Sequence, residues 1–208
     1  MDNTKKETIG LLVIMKAKLG KEQAVKNFLQ GGLVLVDQEP ETVSWFAFQI
    51  DERTFGIYDT FEVEAGRQAH LKGEVAKALL ANANDLLEDF NAESDIKKIK
   101  VLAANHKVGI QNKGLLVMLE AKEGKSTAVK DFLHAGKQLV SHEPKTLSWY
   151  ALEIDDTTYA IFDTFEGDED RDAHLNGKVA SALMENAPVL LEGFEASAIQ
   201  KIDIVASK

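Results

Sequence analysis

The stretch "YDTFEVEAGRQAHLKG" (Tyr58–Gly73) returns as "FDTFEGDEDRDAHLNG" (Phe162–Gly177), at a constant offset of 104 residues. Identities extend well beyond it. "GLLVIMKAKLGK" at Gly10 is matched by "GLLVMLEAKEGK" at Gly114, and "EPETVSWFAFQIDERTFGIYDTFE" by "EPKTLSWYALEIDDTTYAIFDTFE". One residue is dropped near the end of the second copy, where Ile96 and Ile99 correspond to Ile199 and Ile202. A unit of this length is a small domain rather than a solenoid repeat. The copies span residues 10–104 and 114–207, and "NHKVGIQNK" (Asn105–Lys113) reads as a polar linker.

Each copy has the same internal order. The mostly apolar "LLVIMKAK" suits a buried strand. Val25, Phe28, Leu29, Gly32 and Val36 then recur at helical spacing, with Gly32 and Gly136 on the apolar face, where a missing side chain lets a helix lie close to a sheet. Pro40 closes this helix. "TVSWFAFQI" and "TFGIYDTFE" read as a hairpin around an Asp-containing turn. A second helix is expected over "GRQAHLKGEVAKALLANANDLLEDF", and a last strand over "DIKKIKVLAA". The order β-α-β-β-α-β is the ferredoxin-like pattern. Large apolar residues occupy both faces of "VSWFAFQI", so the strand is expected to be buried on both sides, which needs a second layer. The fold class is therefore α+β: two ferredoxin-like repeats forming a barrel-type pseudo-dimer within one chain.

Composition narrows the function. The 208 residues include 45% hydrophobic and 28% charged residues, with a formal net charge of −10. Acidity of this size works against binding to nucleic acid or an anionic membrane. No cysteine is present, so disulfide and thiolate chemistry are absent. The opening "MDNTKKETIG" lacks the apolar core of a signal peptide, and no apolar run reaches the roughly 18 residues of a membrane span. A soluble, cytoplasmic protein is expected. No phosphate-cradling glycine loop, dinucleotide fingerprint or nucleophile elbow occurs. His134 and His142 replace Gln30 and Gln38 of the first copy. They lack an evident third ligand, so no metal site is expected.

The repeated acid, the aromatic two positions on and the following Ala-His-Leu resemble the antibiotic biosynthesis monooxygenases, a family of α+β barrels that are usually single-copy and pair as homodimers. The elements are Asp59, Phe61 and Ala69-His70-Leu71, and Asp163, Phe165 and Ala173-His174-Leu175. The asparagine, tryptophan and histidine set of the haem-degrading branch has no counterpart here.

The resemblance implies oxygenation of a small phenolic or quinol-like aromatic without a cofactor. It makes His70 and His174 candidate bases, Asp59 and Asp163 their orienters, and Trp45, Trp149, Phe61 and Phe165 candidate substrate-binding residues. The expected partner is the small aromatic alone, in a pseudo-dimer that leaves a further homodimer open. Two rival functions share the fold: a non-catalytic small-ligand-binding or stress-response barrel, and an isomerase on a small hydroxyketone or lactone. For Asp59 and Arg67, an ion pair pinning hairpin to helix is an alternative to a site. On a continuous helix His70 points away from Leu71, Val75, Ala78 and Leu79, and it turns inward only if the helix breaks near Gly73.

Overall fold

The structure is a computed structural model that describes residues 6–208; residues 1–5 of the polar opening stretch lie outside the described residues. The fold is α+β, and its eight strands are hydrogen-bonded as a closed antiparallel barrel in the order β1-β3-β2-β8-β5-β7-β6-β4. The described residues divide into two compact units, residues 6–99 with 204–208, and residues 100–203. Among the described residues no helix is long and apolar enough to cross a membrane.

The first copy runs β1 (Ile9–Lys16), α1 (Glu22–Val36), β2 (Thr42–Gln49), β3 (Thr54–Phe61), α2 (Glu64–Leu71), α3 (Glu74–Leu86), a single turn α4 (Ala92–Asp95) and β4 (Ile96–His106). The second runs β5 (Lys113–Glu120), α5 (Ser126–Ser141), β6 (Ser148–Glu153), β7 (Thr158–Phe165), α6 (Asp168–Leu175), α7 (Lys178–Leu190), a 3-10 turn (Ala196–Ala198) and β8 (Ile199–Ser207). Two expectations need correction. The second long helix of each copy is two helices, broken at Lys72–Gly73 and Asn176–Gly177. The expected linker is shorter, because β4 extends through His106 and β5 begins at Lys113.

The unit boundaries fall inside strands. In the second unit, Lys100–His106 of β4 pairs with β6, and Lys113–Val117 of β5 pairs with Ile199–Asp203 of β8. In the first unit, Lys208 exchanges backbone hydrogen bonds with Trp45 on β2, its N–H to Trp45 O at 2.8 Å. Each unit is thus completed by the end of the other copy's last strand.

The helix-facing core of the first unit holds Val25, Leu29 and Val36 of α1, Trp45 and Ala47 of β2, Phe55 and Ile57 of β3, and Leu79 of α3. The second unit repeats it with Val129, Leu133, Trp149, Ile161 and Leu183. Each such aliphatic side chain contributes about 1.5–3 kcal/mol when fully buried. On the opposite sheet face Leu12, Phe46, Phe48 and Tyr58 are buried as well, as the two-sided pattern of "VSWFAFQI" requires. The hairpin turn is held by Asp51, whose Oδ1 accepts from the N–H groups of Arg53 at 2.9 Å and Thr54 at 2.8 Å. Asp155 does the same for Thr157 and Thr158.

Two glycines test the packing. A Cβ at Gly32 would sit 3.4 Å from Cζ2 of Trp45, an ordinary contact, whereas a Cβ at Gly10 would collide with the backbone oxygen of Asp59. Gly32→Ala is therefore expected to be neutral or to stabilise by up to about 1 kcal/mol through helix propensity. Gly10→Ala is expected to cost about 1–3 kcal/mol by forcing β1 from β3. Thermal unfolding of the two variants checks the contrast, and equal melting points would refute it.

Candidate functional site

The helix break decides where His70 points. Backbone N–H bonds from Lys72 to Ala69 O and from Gly73 to His70 O close α2 within one turn, and α3 restarts from Gly73. Freed from the α3 face, His70 turns inward and is only 6% exposed. Its Nδ1 lies 2.6 Å from Oε2 of Glu39, and its Nε2 lies 3.2 Å from Oδ2 of Asp59. Thr42 Oγ1 donates to the same Glu39 oxygen at 2.8 Å. The Phe61 ring stands over the imidazole, with centroids 5.4 Å apart.

The second unit repeats this geometry. His174 Nδ1 is 2.6 Å from Glu143 Oε2, its Nε2 is 3.2 Å from Asp163 Oδ2, and Thr146 Oγ1 donates to Glu143 at 3.2 Å. Phe165 takes the place of Phe61, at 5.3 Å from the His174 ring.

Both ring nitrogens face carboxylates, which only accept, so the ring is satisfied only as an imidazolium. Burial works against that charge. The Asp59 carboxylate, helped by Glu39, outweighs it and holds the His70 pKa at about 10. Asp163 and Glu143 do the same for His174, also to about 10. Burial pushes the Asp59 and Asp163 carboxyls up against the pull of the histidine charge. Burial also works against the charged forms of Glu39 and Glu143, but their histidine bonds prevail and hold both below the ordinary value. At neutral pH no ring nitrogen of His70 or His174 is left to accept a proton.

The supports of this clamp were partly missed in the sequence. Glu39 and Thr42, with Glu143 and Thr146, lie in the repeated "EPETVSW" and "EPKTLSW", a signal that was present and unused. Gly73 and Gly177 leave room for the glutamates: a Cβ at Gly177 would come within 2.6 Å of Glu143 Oε1, and one at Gly73 would collide with Glu39 Oε1. Val179 N–H donates to Glu143 Oε1 at 3.4 Å, so this carboxylate also caps the positive end of α7. Lys208 Nζ donates to Val36 O at 2.9 Å and Glu39 O at 2.7 Å. Lys107 Nζ binds the matching carbonyls of Val140 at 3.5 Å and Glu143 at 2.5 Å, and also that of Thr146 at 3.2 Å. Neither lysine stands out in the sequence.

The pairing of Asp59 with Arg67 is not formed. Asp59 is committed to His70, and Arg67 binds Glu64 and the carbonyls of Gly10 and Ile99. Arg171 repeats this with Asp168, Gly114 and Ile202. Trp45 and Trp149 stand opposite Asp59 and Asp163 in the strand register. Both are 1% exposed within the helix-side cores. Among the described residues no cluster of histidine and carboxylate side chains could hold a metal ion.

The second unit has a cleft of about 300 Å³ beside its clamp. Its apolar sides are Leu139, Pro144 and Ala173, and its buried end carries Thr146 and His174 beside Glu143. Its volume lies at the lower end of the range of small-ligand pockets. Trp149 and Phe165 are not among its walls.

No protein-family model and no curated protein matches the sequence. Among solved structures, the chain is similar to a "putative monooxygenase" from Fusobacterium nucleatum, with a TM-score of 0.80 and 14% identity over 97% of this chain and 94% of that one. It is similar to a ferredoxin-fold protein from Listeria monocytogenes related to antibiotic biosynthesis monooxygenases, with a TM-score of 0.53 and 8% identity over 98% of each chain. A protein of unknown function from Nitrosomonas europaea is 42% identical over 50% of this chain and 99% of that one, with a TM-score of 0.46. At 14% and 8% identity, the first two likenesses show the fold: a ferredoxin-like α+β barrel of the kind found in monooxygenase-like proteins.

Proposed function

We propose that the chain is a cofactor-independent monooxygenase of a small phenolic or quinol-like aromatic. The observation that carries this reading is the cleft of about 300 Å³ whose apolar sides end on Thr146 and the clamped His174. An acidic methylene flanked by phenolic rings is a suitable substrate class, because its anion can itself give an electron to oxygen. In the balanced reaction one methylene compound and one dioxygen give one ketone and one water. Loss of a proton gives the substrate anion. One-electron transfer to dioxygen and recombination form the C–O bond of a peroxide anion, which takes a proton. Loss of the second methylene proton and scission of the O–O bond then leave the carbonyl and hydroxide, which that proton converts to water.

In this scheme the apolar sides exclude water, which strengthens electrostatic contacts inside. Thr146 Oγ1, which lies 3.2 Å from His174 Nδ1, turns its one hydrogen from its 3.2 Å bond to Glu143 onto the peroxide oxygen. Asp163 and Glu143 hold the ring charged and in place, so His174 and, by analogy, His70 position and stabilise rather than accept the first proton. Phe165 and Phe61 fix the rings from behind, and Trp149 and Trp45 support Asp163 and Asp59 from the core.

A second reading, a small-ligand-binding barrel without turnover, is favoured by the full engagement of both ring nitrogens in both clamps. Oxygen uptake with a panel of quinols and 1,8-dihydroxyanthrone separates the two. The expected result is consumption of one dioxygen per substrate, slowed about 10²- to 10³-fold by Thr146→Val. Anaerobic binding without oxygen uptake on the whole panel would overturn the oxygenase in favour of the binding protein.

A further inference from the structure

We infer that the two copies have diverged in function, and that the second unit's cleft is the one working site, with His142 as its proton acceptor and a cationic mouth that favours acidic ligands. The chemistry rests on the oxygenase reading; the one-sidedness rests on the residues lining the cleft and those at the matching positions of the first copy.

His142 stands at the C-terminal end of α5 and lines the same cleft as Thr146 and His174. Its Nδ1 is 2.9 Å from the backbone oxygen of Gln138. A carbonyl only accepts, so Nδ1 carries the hydrogen, and in the neutral ring the lone pair is on Nε2. This is the arrangement by which a second contact selects the basic nitrogen of a histidine. His174 has no such nitrogen, because both of its own face carboxylates. The cleft therefore pairs His174, with both ring nitrogens on carboxylates, at its buried end with His142, held through Nδ1, at its exposed end. His142 Nε2 takes the substrate proton, and the same proton later returns to the peroxide, so the balance above is unchanged.

The first copy carries other residues at these positions. Its clamp is complete, but the positions matching His142, Lys145 and Lys178 are Gln38, Glu41 and Glu74. Glutamine cannot act as a base, and two cationic positions have become anionic. In the second unit the charged and titratable groups lining the cleft are His142, Glu143, Lys145, Asp170, His174 and Lys178. Lys145 is 3.5 Å from Asp170, and Glu143 is committed to His174. Lys178 thus adds positive charge at the mouth. A phenol or other weak acid is drawn toward its anion there, whereas at the matching position of the first copy Glu74, paired with Lys77 at 2.6 Å, offers no such charge.

The test compares the native chain with His142→Gln, with Lys145→Glu/Lys178→Glu, and with the converse Gln38→His/Glu41→Lys/Glu74→Lys. Each is titrated anaerobically with 1,8-dihydroxyanthrone and assayed for oxygen uptake. One ligand per native chain is expected. His142→Gln should keep its anaerobic affinity within about twofold and lose about 10²- to 10⁴-fold in turnover. The charge-reversed pair should bind about tenfold more weakly, with less salt dependence. The converse variant should gain a second binding event.

Native-like turnover in His142→Gln would remove His142 as the acceptor. Two equal binding events in the native chain, or none, would overturn the one-sided site. Binding of a single ligand without any oxygen uptake would sink the oxygenase and His142's role in it while leaving the asymmetry standing.

Discussion

Replacing His70 with alanine is expected to lower the stability of the first unit by about 3–5 kcal/mol, the usual cost of breaking a buried ion pair from one side. Asp59 is 1% exposed and has His70 as its charged partner. Without the ring, Asp59 and Glu39 face each other across a cavity, and Asp59 must protonate or draw in water. His174→Ala should do the same in the second unit through Asp163 and Glu143. Urea unfolding followed through Trp45 and Trp149, one per unit, separates the two effects. Adding Asp59→Asn should restore part of the loss, because a neutral amide removes the uncompensated charge. The clamp also sets a pH dependence. The ring pKa rises from 6.5 to about 10 on folding, so its contribution is fully present below pH 6.5 and is lost as pH rises toward about 10. The glutamates, held below 4.5, add a contribution present above that pH and lost as pH falls through their folded pKa values. A His70→Ala variant within about 1 kcal/mol of native, or a native chain equally stable at about pH 6.5 and 10, would show that the clamp is not what holds α2 to the sheet.

The clamp also shows how far the sequence could be read. The repeat gave away the two copies, and periodicities of two and of three to four placed Trp45, Phe46, Leu29 and Val36 inside. Asp59 and His70 stood in the repeated motif, and Glu39 and Thr42 in a second repeated stretch. What spacing left open was direction. A single wheel through "AHLKGEVAKALL" aims His70 outward, because it assumes that Gly73 continues the helix. Gly73 instead starts a new helix in extended conformation, with φ −75° and ψ 177°, and two helices share no common wheel. Of the two readings of Asp59, the pair with Arg67 is not formed for a similar reason. Asp59 points to the helix face where His70 arrives, while Arg67 reaches the carbonyls of Gly10 and Ile99. Lys107 and Lys208 were beyond reach altogether. Their separation matches neither the offset of 104 in the body of the copies nor that of the final strands, and Lys107 reads as linker. Only the path of β4 and β8 beyond their own copies makes these two lysines equivalent.

That path yields the second large effect. Deleting residues 204–208 is expected to destabilise the first unit by about 2–4 kcal/mol while sparing the core of the second. The deletion removes the Lys208 N–H bond to Trp45 O and the Trp45 N–H bond to Lys208 O, each worth about 1 kcal/mol net. It removes the packing of Val205 and Ala206 against the core that contains Trp45. It also frees the carbonyls of Val36 and Glu39 from Lys208 Nζ, loosening the segment that carries Glu39 to His70. Lys208→Met separates the causes. It keeps the strand and its apolar stem but drops the ammonium, so it should cost about 1 kcal/mol and leave the Trp45 backbone bonds in place. Amide hydrogen exchange reads the difference directly. Trp45 N–H should lose protection in the deletion and keep it in Lys208→Met, while Val117 N–H, in the second unit, should be unchanged in both. Lys107→Met should mirror the point change at Glu143 and His174. If the deletion left Trp45 protected, the first unit's sheet would not depend on a strand end from beyond its own copy, and the clamp would be built from its own copy alone.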